Sequence, residues 1–343
     1  MSASRPELFS AVEAARGGAR LLTYITSDRQ PPFQATMALD IVRPLYEHLS
    51  NIGRVDKIDF LVFSQGGDTI VPWRVVNLIR EFCEHFSVLI PYKAHSAATL
   101  IALGADEIVM GPLAELSPID PSIGTPFNPS QVEGPNAPKH PIPISVEDVN
   151  GFINLARERM GITEQEHLVR VYEGLAHHLH PLAIGAVYRS HALIRLLAAK
   201  MLAFHMKGQD VQRIPKMVDD LAEKLYYHNY LISRREAAEL GLKVVAAPAP
   251  ALEEALWNLY LDYESEMGLG KGFDPLALLG ESNEREMAAP LAIIESHGLR
   301  SSISKRLRIT RLAQPTPAGQ AALQIQEQVI GWETKPDKEL NGG

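Results

Sequence analysis

One stretch decides the fold: Tyr92-Lys93-Ala94-His95-Ser96-Ala97-Ala98-Thr99-Leu100-Ile101-Ala102-Leu103-Gly104-Ala105-Asp106. The apolar run at 86–92 is typical of a buried strand, and residues 97–104 are typical of a short helix with small side chains. Ser96 therefore lies at a turn from strand to helix. A serine at this position commonly caps the helix. It also suits a nucleophile, because the following N–H and the helix N-terminus can stabilise a developing oxyanion.

A second stretch supports the nucleophile interpretation. Residues 55–63 predict a strand that runs directly into Ser64-Gln65-Gly66-Gly67-Asp68. Paired glycines allow a close backbone approach, so the N–H of Gly66 or Gly67 can serve as another oxyanion donor, although an ordinary turn fits the same residues. An amphipathic helix over 70–82 follows. The order is strand, Gly-Gly turn, helix, strand, serine, helix, which predicts an α/β fold.

Three segments carry a family resemblance. They are Ser64–Asp68, Ala94–Met110 and Leu116–Pro121. In this order they resemble the serine dehydrogenase proteinase family, a branch of the Clp protease/crotonase superfamily related to signal peptide peptidases. The resemblance spans residues 20–245 and implies a ββα spiral with flanking helices. It further implies that Ser96 is the nucleophile and that N–H groups of Gly66, Gly67 and Ala97 form the oxyanion hole.

The general base departs from the Clp pattern. Clp proteases pair their serine with a histidine further along the chain, and the corresponding region here, residues 116–120, has none. A serine needs a base to attack near neutral pH, and a serine–lysine dyad is the usual substitute. Lys139 matches the lysine of membrane-associated relatives, in a proline-rich loop before a helix that begins near residue 146. Lys93 and His95 remain alternatives.

The histidines at the end of a predicted helix are a separate feature. His177, His178 and His180 form the densest histidine cluster of the chain. They lack the nearby cysteine or carboxylate of a typical metal site, and histidines at a helix C-terminus commonly interact with the helix dipole. We therefore expect no metal and no organic cofactor.

Composition limits the partners. Hydrophobic residues make up 46% of the 343 residues, and the formal charge is −8, which disfavours nucleic acid as the main partner. Residues 1–8 lack the apolar core of a signal peptide, and no run approaches the roughly 18 uninterrupted apolar residues of a membrane span. We therefore expect a cytoplasmic protein without a membrane anchor. By the resemblance, the helices predicted between residues 146 and 227 form subunit contacts in a homo-oligomer.

Three regions are predicted along the chain. Residues 1–246 form the Clp/crotonase-like peptidase domain. Residues 247–333 form a helix and a small β-rich C-terminal appendage, whose basic strands either recruit a partner or protect exposed sheet edges by their charge. Residues 334–343 are polar and are predicted to be disordered.

The predicted function is a cytoplasmic serine endopeptidase that acts on protein or peptide substrates. Ser96 attacks the peptide carbonyl, Lys139 transfers the proton, and an acyl-enzyme is hydrolysed. One alternative is a crotonase-like acyl-CoA enzyme, which uses the same oxyanion hole without a nucleophilic serine. Another is a catalytically silent oligomeric scaffold that keeps only the fold.

Overall fold

Runs of branched apolar residues in the first third of the chain form the buried strands of a sheet. The structure, a computed structural model, describes residues 3–120, 122–131, 140–223, 225, 230–312 and 322–336. The chain divides into two compact units. The first contains residues 1–116 and 233–343, and the second contains residues 117–232.

Helices and strands alternate through residues 1–116. The elements are α1 Arg5–Ala15, β1 Arg20–Thr26, a 3-10 turn Leu39–Ile41, α2 Val42–Ile52, β2 Val55–Phe63, α3 Val71–Arg80, β3 Cys83–Ile90, β4 Lys93–Ala94, α4 Ala97–Leu103, β5 Glu107–Met110 and β6 Glu115–Leu116.

Helices dominate residues 117–232. The elements are β7 Ser122–Ile123, β8 Ser130–Gln131, β9 His140–Pro141, β10 Ile144–Ser145, α5 Val146–Asn154, a π-helical turn Leu155–Arg159, α6 Gln165–His178, α7 Pro181–His205, a 3-10 segment Gly208–Arg213 and α8 Ile214–Ala222.

From residue 232 onward, a short strand and three helices lead into three long strands. The elements are β11 Ile232–Ser233, α9 Arg234–Glu239, α10 Pro250–Met267, α11 Pro275–Leu279, β12 Glu284–Ser296, β13 Leu299–Arg311 and β14 Leu323–Pro336.

Within these described residues, the first unit is built on a seven-stranded sheet. The strand order is β14-β13-β12-β1-β2-β3-β5. Strands β1, β2, β3 and β5 are parallel, whereas β12, β13 and β14 continue the sheet in antiparallel fashion from β1. The carboxyl ends of the parallel strands meet at one edge, which is where open α/β sheets place their ligands. The predicted α/β class is confirmed by this sheet and its flanking helices.

Both faces of the parallel strands are covered. On one face, Leu8, Phe9 and Val12 of α1 pack with the apolar side of α10 against alternate strand residues such as Leu61 and Leu89. The other alternate residues point to the opposite face, where α2 contacts β12 and α3 contacts β3. Burial on both faces explains why β2 and β3 are apolar over most of their length.

The C-terminal strands belong to this same sheet. The appendage predicted over 247–333 is therefore continuous with β1 through β12, and the predicted boundary at residue 246 does not coincide with the division into units. Residues 334–336, predicted as part of a disordered tail, are the end of β14. Residues 337–343 lie outside the described part of the chain.

In the second unit, α7 is the longest helix. Its buried side includes Ile184, Val187, Ile194 and Met201, and it packs against α8. Among the described residues, α7 is the one helix whose length and apolar composition match those of a membrane span, and a soluble core helix can have the same properties. A third of its most apolar 18-residue window is buried.

Candidate active site

Ser96 lies between β4 and α4 in a backbone conformation that serine rarely adopts. Its φ is 50° and its ψ is −112°, and it is the only non-glycine residue of positive φ in the described ranges. Such a conformation costs of order 1–3 kcal/mol and is concentrated at functional sites. The side chain is half-buried and makes no capping hydrogen bond to α4. Helix capping, the alternative role for Ser96, is therefore not what the side chain does.

The Gly66–Gly67 corner lies directly against Ser96. Gly66 has a φ of 96°, and a Cβ built on it would lie 2.8 Å from Ser96 Cβ and 2.8 Å from the carbonyl oxygen of His95. It would also lie 3.0 Å from the backbone nitrogen of Ala97. Only glycine fits this approach. The structure thus brings together the two segments that the sequence placed on either side of α3.

Met37 fixes the orientation of this corner. Its N–H donates to the carbonyl oxygen of Gly66 at 2.7 Å, and its own carbonyl oxygen accepts from the N–H of Asp68 at 2.8 Å. A Cβ on Gly67 would lie 2.1 Å from the Met37 carbonyl oxygen, so this contact also requires glycine. The two bonds engage groups on both sides of Gly67 and leave its own N–H available.

Ser64 engages one of the three predicted oxyanion donors. The N–H of Gly66 donates to Ser64 Oγ at 3.1 Å, and Thr26 Oγ1 donates to the same oxygen at 3.0 Å. The N–H groups of Gly67 and Ala97 have no hydrogen-bond partner in the part of the chain that the structure describes. Gly67 and Ala97 are therefore the better candidates for donors to an oxyanion, and Gly66 is the residue that allows close contact with Ser96.

Backbone hydrogen bonds hold the two halves of the site at a fixed distance. Ser64 donates its N–H to the carbonyl oxygen of Lys93 at 3.0 Å, and its carbonyl oxygen accepts from the N–H of His95 at 2.9 Å. These bonds form a short parallel bridge between the end of β2 and β4. The corner after β2 and the turn before α4 are thus tied together one to three residues from Ser96.

Lys93, one alternative base, is held as a cation. Its Nζ lies 2.9 Å from Asp28 Oδ2. Burial lowers the pKa of Lys93, but the hydrogen bond and the charge of Asp28 outweigh burial, and the pKa is raised above its usual value. A lysine must be neutral to accept a proton, so this pairing makes Lys93 a poor general base.

His95, the other alternative, interacts with a neighbouring strand. Its Nε2 lies 3.1 Å from Glu115 Oε1 on β6, a contact that is an ion pair only when His95 is protonated. Burial raises the pKa of Glu115, although Lys93 lowers it. Lys139 lies outside the described residues, so its role as the base stays a prediction.

The histidine cluster at the end of α6 has local roles. His177 Nδ1 lies 2.7 Å from the carbonyl oxygen of Glu173, and His180 accepts the N–H of Leu182 at the start of α7. The His180 ring also stacks on Phe127 at 4.7 Å between centroids. Across the described part of the chain, no group of three His, Cys, Asp or Glu side chains is placed to hold a metal ion.

Three residues of the corner were not identified from the sequence. Met37 and Thr26 reach the corner through tertiary pairing, Met37 from about thirty residues away along the chain. Ser64 accepts the Gly66 N–H from only two residues away. Thr26 carried one usable signal. It ends β1, which is the parallel neighbour of β2, and carboxyl ends of neighbouring parallel strands share an edge of the sheet.

The fold and this corner define an α/β protein with a strained serine beside free backbone donors at the carboxyl edge of a sheet. Residues 49–145 match the family model described as ClpP-like SDH-type serine proteinase. This match confirms, for that region, the family resemblance inferred from the motifs. It covers less than a third of the chain and includes Gly66, Gly67, Ser96 and Ala97.

Curated relatives and one solved structure are also similar. The uncharacterized protein MJ0137 of Methanocaldococcus jannaschii is 28% identical over 187 residues, which cover 54% of this chain and 53% of the relative. The uncharacterized protein MJ1495 of the same organism is 37% identical over 67 residues, 20% of this chain and 23% of the relative. The chain thus spans about half the length of the first relative and less than a quarter of the second.

ClpP1 from Listeria monocytogenes aligns with a TM-score of 0.33 and 14% identity, over 72% of this chain and 97% of that protein. A similarity of this size adds nothing to what the sheet itself shows about the fold.

Proposed function

We propose that the protein is a serine endopeptidase with Ser96 as its nucleophile. The observation that carries the proposal is the strained Ser96 turn packed against Gly66, with the N–H groups of Gly67 and Ala97 available nearby. Strain at a single non-glycine residue is expected where a side chain must be presented for chemistry. Free N–H donors are what a tetrahedral oxyanion requires.

The reaction would follow the usual course of acyl transfer. Ser96 Oγ attacks the carbonyl carbon of the scissile peptide as its proton moves to the base. The oxyanion accepts hydrogen bonds from Gly67 and Ala97. The carbon–nitrogen bond then breaks, the base returns the proton to the leaving amine, and an ester on Ser96 remains. Water hydrolyses this ester through a second oxyanion and restores the serine hydroxyl.

Lys139 is the proposed base. The pairing of Lys93 with Asp28 supports this choice, because it keeps Lys93, the lysine closer to Ser96 along the chain, protonated. A loop lysine can reach a serine and lose its proton when substrate binding removes water from around it. The dyad then resembles serine–lysine arrangements in unrelated folds.

The cellular setting is part of the same proposal. The protein acts in the cytoplasm on proteins or peptides and not on nucleic acid, the last in keeping with its charge of −8. It assembles into a homo-oligomer. Support comes from α6, which has no buried residue, and from exposed apolar side chains on α6 and α7 such as Tyr172, Leu182 and Tyr188. Apolar surface of this kind favours an interface.

Turnover of an unstructured protein substrate tests the function. The wild-type chain is expected to release new amino termini, and Ser96→Ala is expected to abolish this release. Lys139→Ala is expected to lower the rate about as strongly, whereas Lys93→Ala retains most of it. Lys93 is the matched control, because the same substitution removes a lysine close to Ser96.

Two outcomes would overturn the proposal. Equal turnover by wild type and Ser96→Ala would show that another group, or a contaminant, is responsible. Binding of coenzyme A in titration calorimetry, without any peptide cleavage, would favour the acyl-CoA enzyme. Retained turnover in Lys139→Ala would leave Ser96 in place and reassign the base to His95 or water.

A further inference from the structure

Residues 37–52 connect two distant regions of the first unit, and we call them the linking segment. At its start, Met37 makes both hydrogen bonds that orient Gly67. The segment continues through the 3-10 turn Leu39–Ile41 into α2. Because Met37 bonds to the residues on both sides of Gly67, any displacement of the linking segment moves the Gly67 N–H as well.

The last strand of the sheet contacts the exposed side of this segment. Trp332 Nε1 donates to Asp40 Oδ2 at 2.9 Å, and Thr334 Oγ1 donates to Glu47 Oε2 at 3.0 Å. Both acceptors are carboxylates, and hydrogen bonds to charged groups are stronger than neutral ones. Asp40 lies only three residues after Met37, so the Trp332 contact acts close to the oxyanion corner.

The buried side of the segment is bonded to the same strands. His48 Nδ1 lies 2.7 Å from Ser296 Oγ, and His48 Nε2 lies 3.0 Å from Ser301 Oγ. Ser301 Oγ lies 2.8 Å from Thr334 Oγ1, which links this buried group to the surface contact with Glu47. His48, Ser296 and Ser301 are each at most 1% exposed. Strands β12, β13 and β14 therefore hold the linking segment from both sides.

We propose that the three C-terminal strands serve as a positioning device for the oxyanion donor, acting through the linking segment and Met37 on the N–H of Gly67. The inference rests on the proposed function and assigns a role to a region outside the family match. Trp332 and Asp40 are positioning residues, since neither touches the reacting atoms. A donor displaced by a fraction of an ångström stabilises the transition state less, while substrate binding elsewhere is unaffected.

Kinetics of the 343-residue chain provide the first test. Trp332→Phe keeps the aromatic ring and removes the N–H donor. Asp40→Ala removes the acceptor, and Asp40→Asn keeps an amide oxygen that can still accept. We expect Trp332→Phe and Asp40→Ala to lower kcat roughly tenfold with KM unchanged, and Asp40→Asn to restore most of the loss.

Glu327→Gln is the matched control, because Glu327 also lies on β14 but pairs with Lys305 of β13 at 2.8 Å, away from the linking segment. It is expected to keep wild-type kcat. A loss of folding in any variant is detected by circular dichroism and thermal unfolding. If Trp332→Phe is unstable, Asp40→Ala compared with Asp40→Asn tests the same contact.

Amide hydrogen exchange provides a second test that needs no activity. The Asp68 N–H is bonded to the Met37 carbonyl oxygen, so Trp332→Phe should raise exchange in peptides covering 64–68 and 37–41 several-fold, whereas Glu327→Gln should not. Unchanged exchange in both regions would overturn the inference. If wild type neither cleaves peptides nor reacts at Ser96, the peptidase proposal fails, and exchange alone decides whether the C-terminal strands control the corner.

Discussion

Two serine–histidine clusters in the first unit have nearly the same chemical composition and opposite properties. Ser96 and His95 lie in a strained, half-buried turn beside N–H groups with no partner among the described residues. His48, Ser296 and Ser301 lie fully buried, and their polar groups are hydrogen-bonded to one another. Residue types alone would make either cluster a candidate for serine–histidine catalysis.

The difference shows which features indicate chemistry. In the His48 cluster, each ring nitrogen lies within hydrogen-bond distance of a serine hydroxyl, and the bonds continue from Ser301 to Thr334 and Glu47. In the Ser96 cluster, the backbone stores strain and leaves donors unsatisfied, which lowers stability and is explained if a substrate completes the arrangement. Strain and unsatisfied donors distinguish the two sites better than residue identity does.

Substitution of Ser96 by glycine should give the largest contrast between the clusters. Glycine adopts a φ of 50° without strain, so Ser96→Gly should lose activity by about 10⁴-fold or more and gain about 1 kcal/mol in free energy of unfolding. Peptide turnover and urea denaturation measure the two effects. Ser96→Ala, which also strains at positive φ, is the control that loses activity without the gain. A Ser96→Gly protein that is less stable than wild type would contradict the account.

Gly66→Ala should have the next largest effect. The new Cβ would lie within 3 Å of Ser96 Cβ and of a backbone oxygen, so the corner and the serine must move apart. We expect kcat/KM to fall by about 10²- to 10³-fold, the magnitude for loss of an oxyanion donor. Gly17→Ala is the control, because Gly17 has a similar positive φ of 69° but open space around it. Similar activity losses in both variants would rule out a specific role for Gly66.

His48→Leu should affect stability and not the nucleophile. It removes the His48 partner of two buried hydroxyl groups, of which Ser301 keeps its bond to Thr334, and this costs about 1–3 kcal/mol. Chemical denaturation at neutral pH measures this loss. Because Ser296 and Ser301 are on β12 and β13, a change smaller than about 0.5 kcal/mol would show that the buried cluster does not hold these strands to α2.

Acidification should give the smallest of these effects, a loss of folding stability through His48. Burial lowers the pKa of His48 from 6.5 to about 4. The unfolded chain therefore takes up a proton at His48 before the folded chain does. The stabilisation is complete above pH 6.5 and is lost as the pH falls toward 4.

Between about pH 7.5 and 5.5 the loss attributable to His48 should be about 1 kcal/mol. The difference in pH dependence between wild type and His48→Leu isolates it. Parallel curves for the two proteins would contradict the assignment.

Local sequence patterns predicted the elements around Ser96 well. The strand predicted over 55–63 is β2 itself, and the helix predicted over 97–104 is α4 with one residue fewer. Periodicity is sufficient there because each element is buried along a continuous face and ends at glycine or a turn. The contact of Gly66 with Ser96 was inferred through the family resemblance, and the structure shows its physical basis in the missing Cβ.

Local sequence patterns do not predict the pairings between segments that are far apart along the chain. Nothing in residues 284–336 indicates that β12 pairs with β1, since the choice of a neighbouring strand depends on tertiary packing. Met37 was not predicted for the same reason: its bonds to Gly66 and Asp68 join segments about thirty residues apart, and local patterns do not indicate such pairings. The sequence alone does not exclude Lys93 as the base, because its partner Asp28 lies just after the end of a different strand, β1.

Labelling with a fluorophosphonate probe, followed by peptide mapping in a mass spectrometer, tests the central claim most directly. The probe forms a stable adduct only with a serine that is activated and placed beside oxyanion donors. The account predicts one adduct, on the peptide that contains Ser96, and its loss in Ser96→Ala. An adduct on any other serine that persists in Ser96→Ala, or no adduct on a folded wild-type chain, would contradict it.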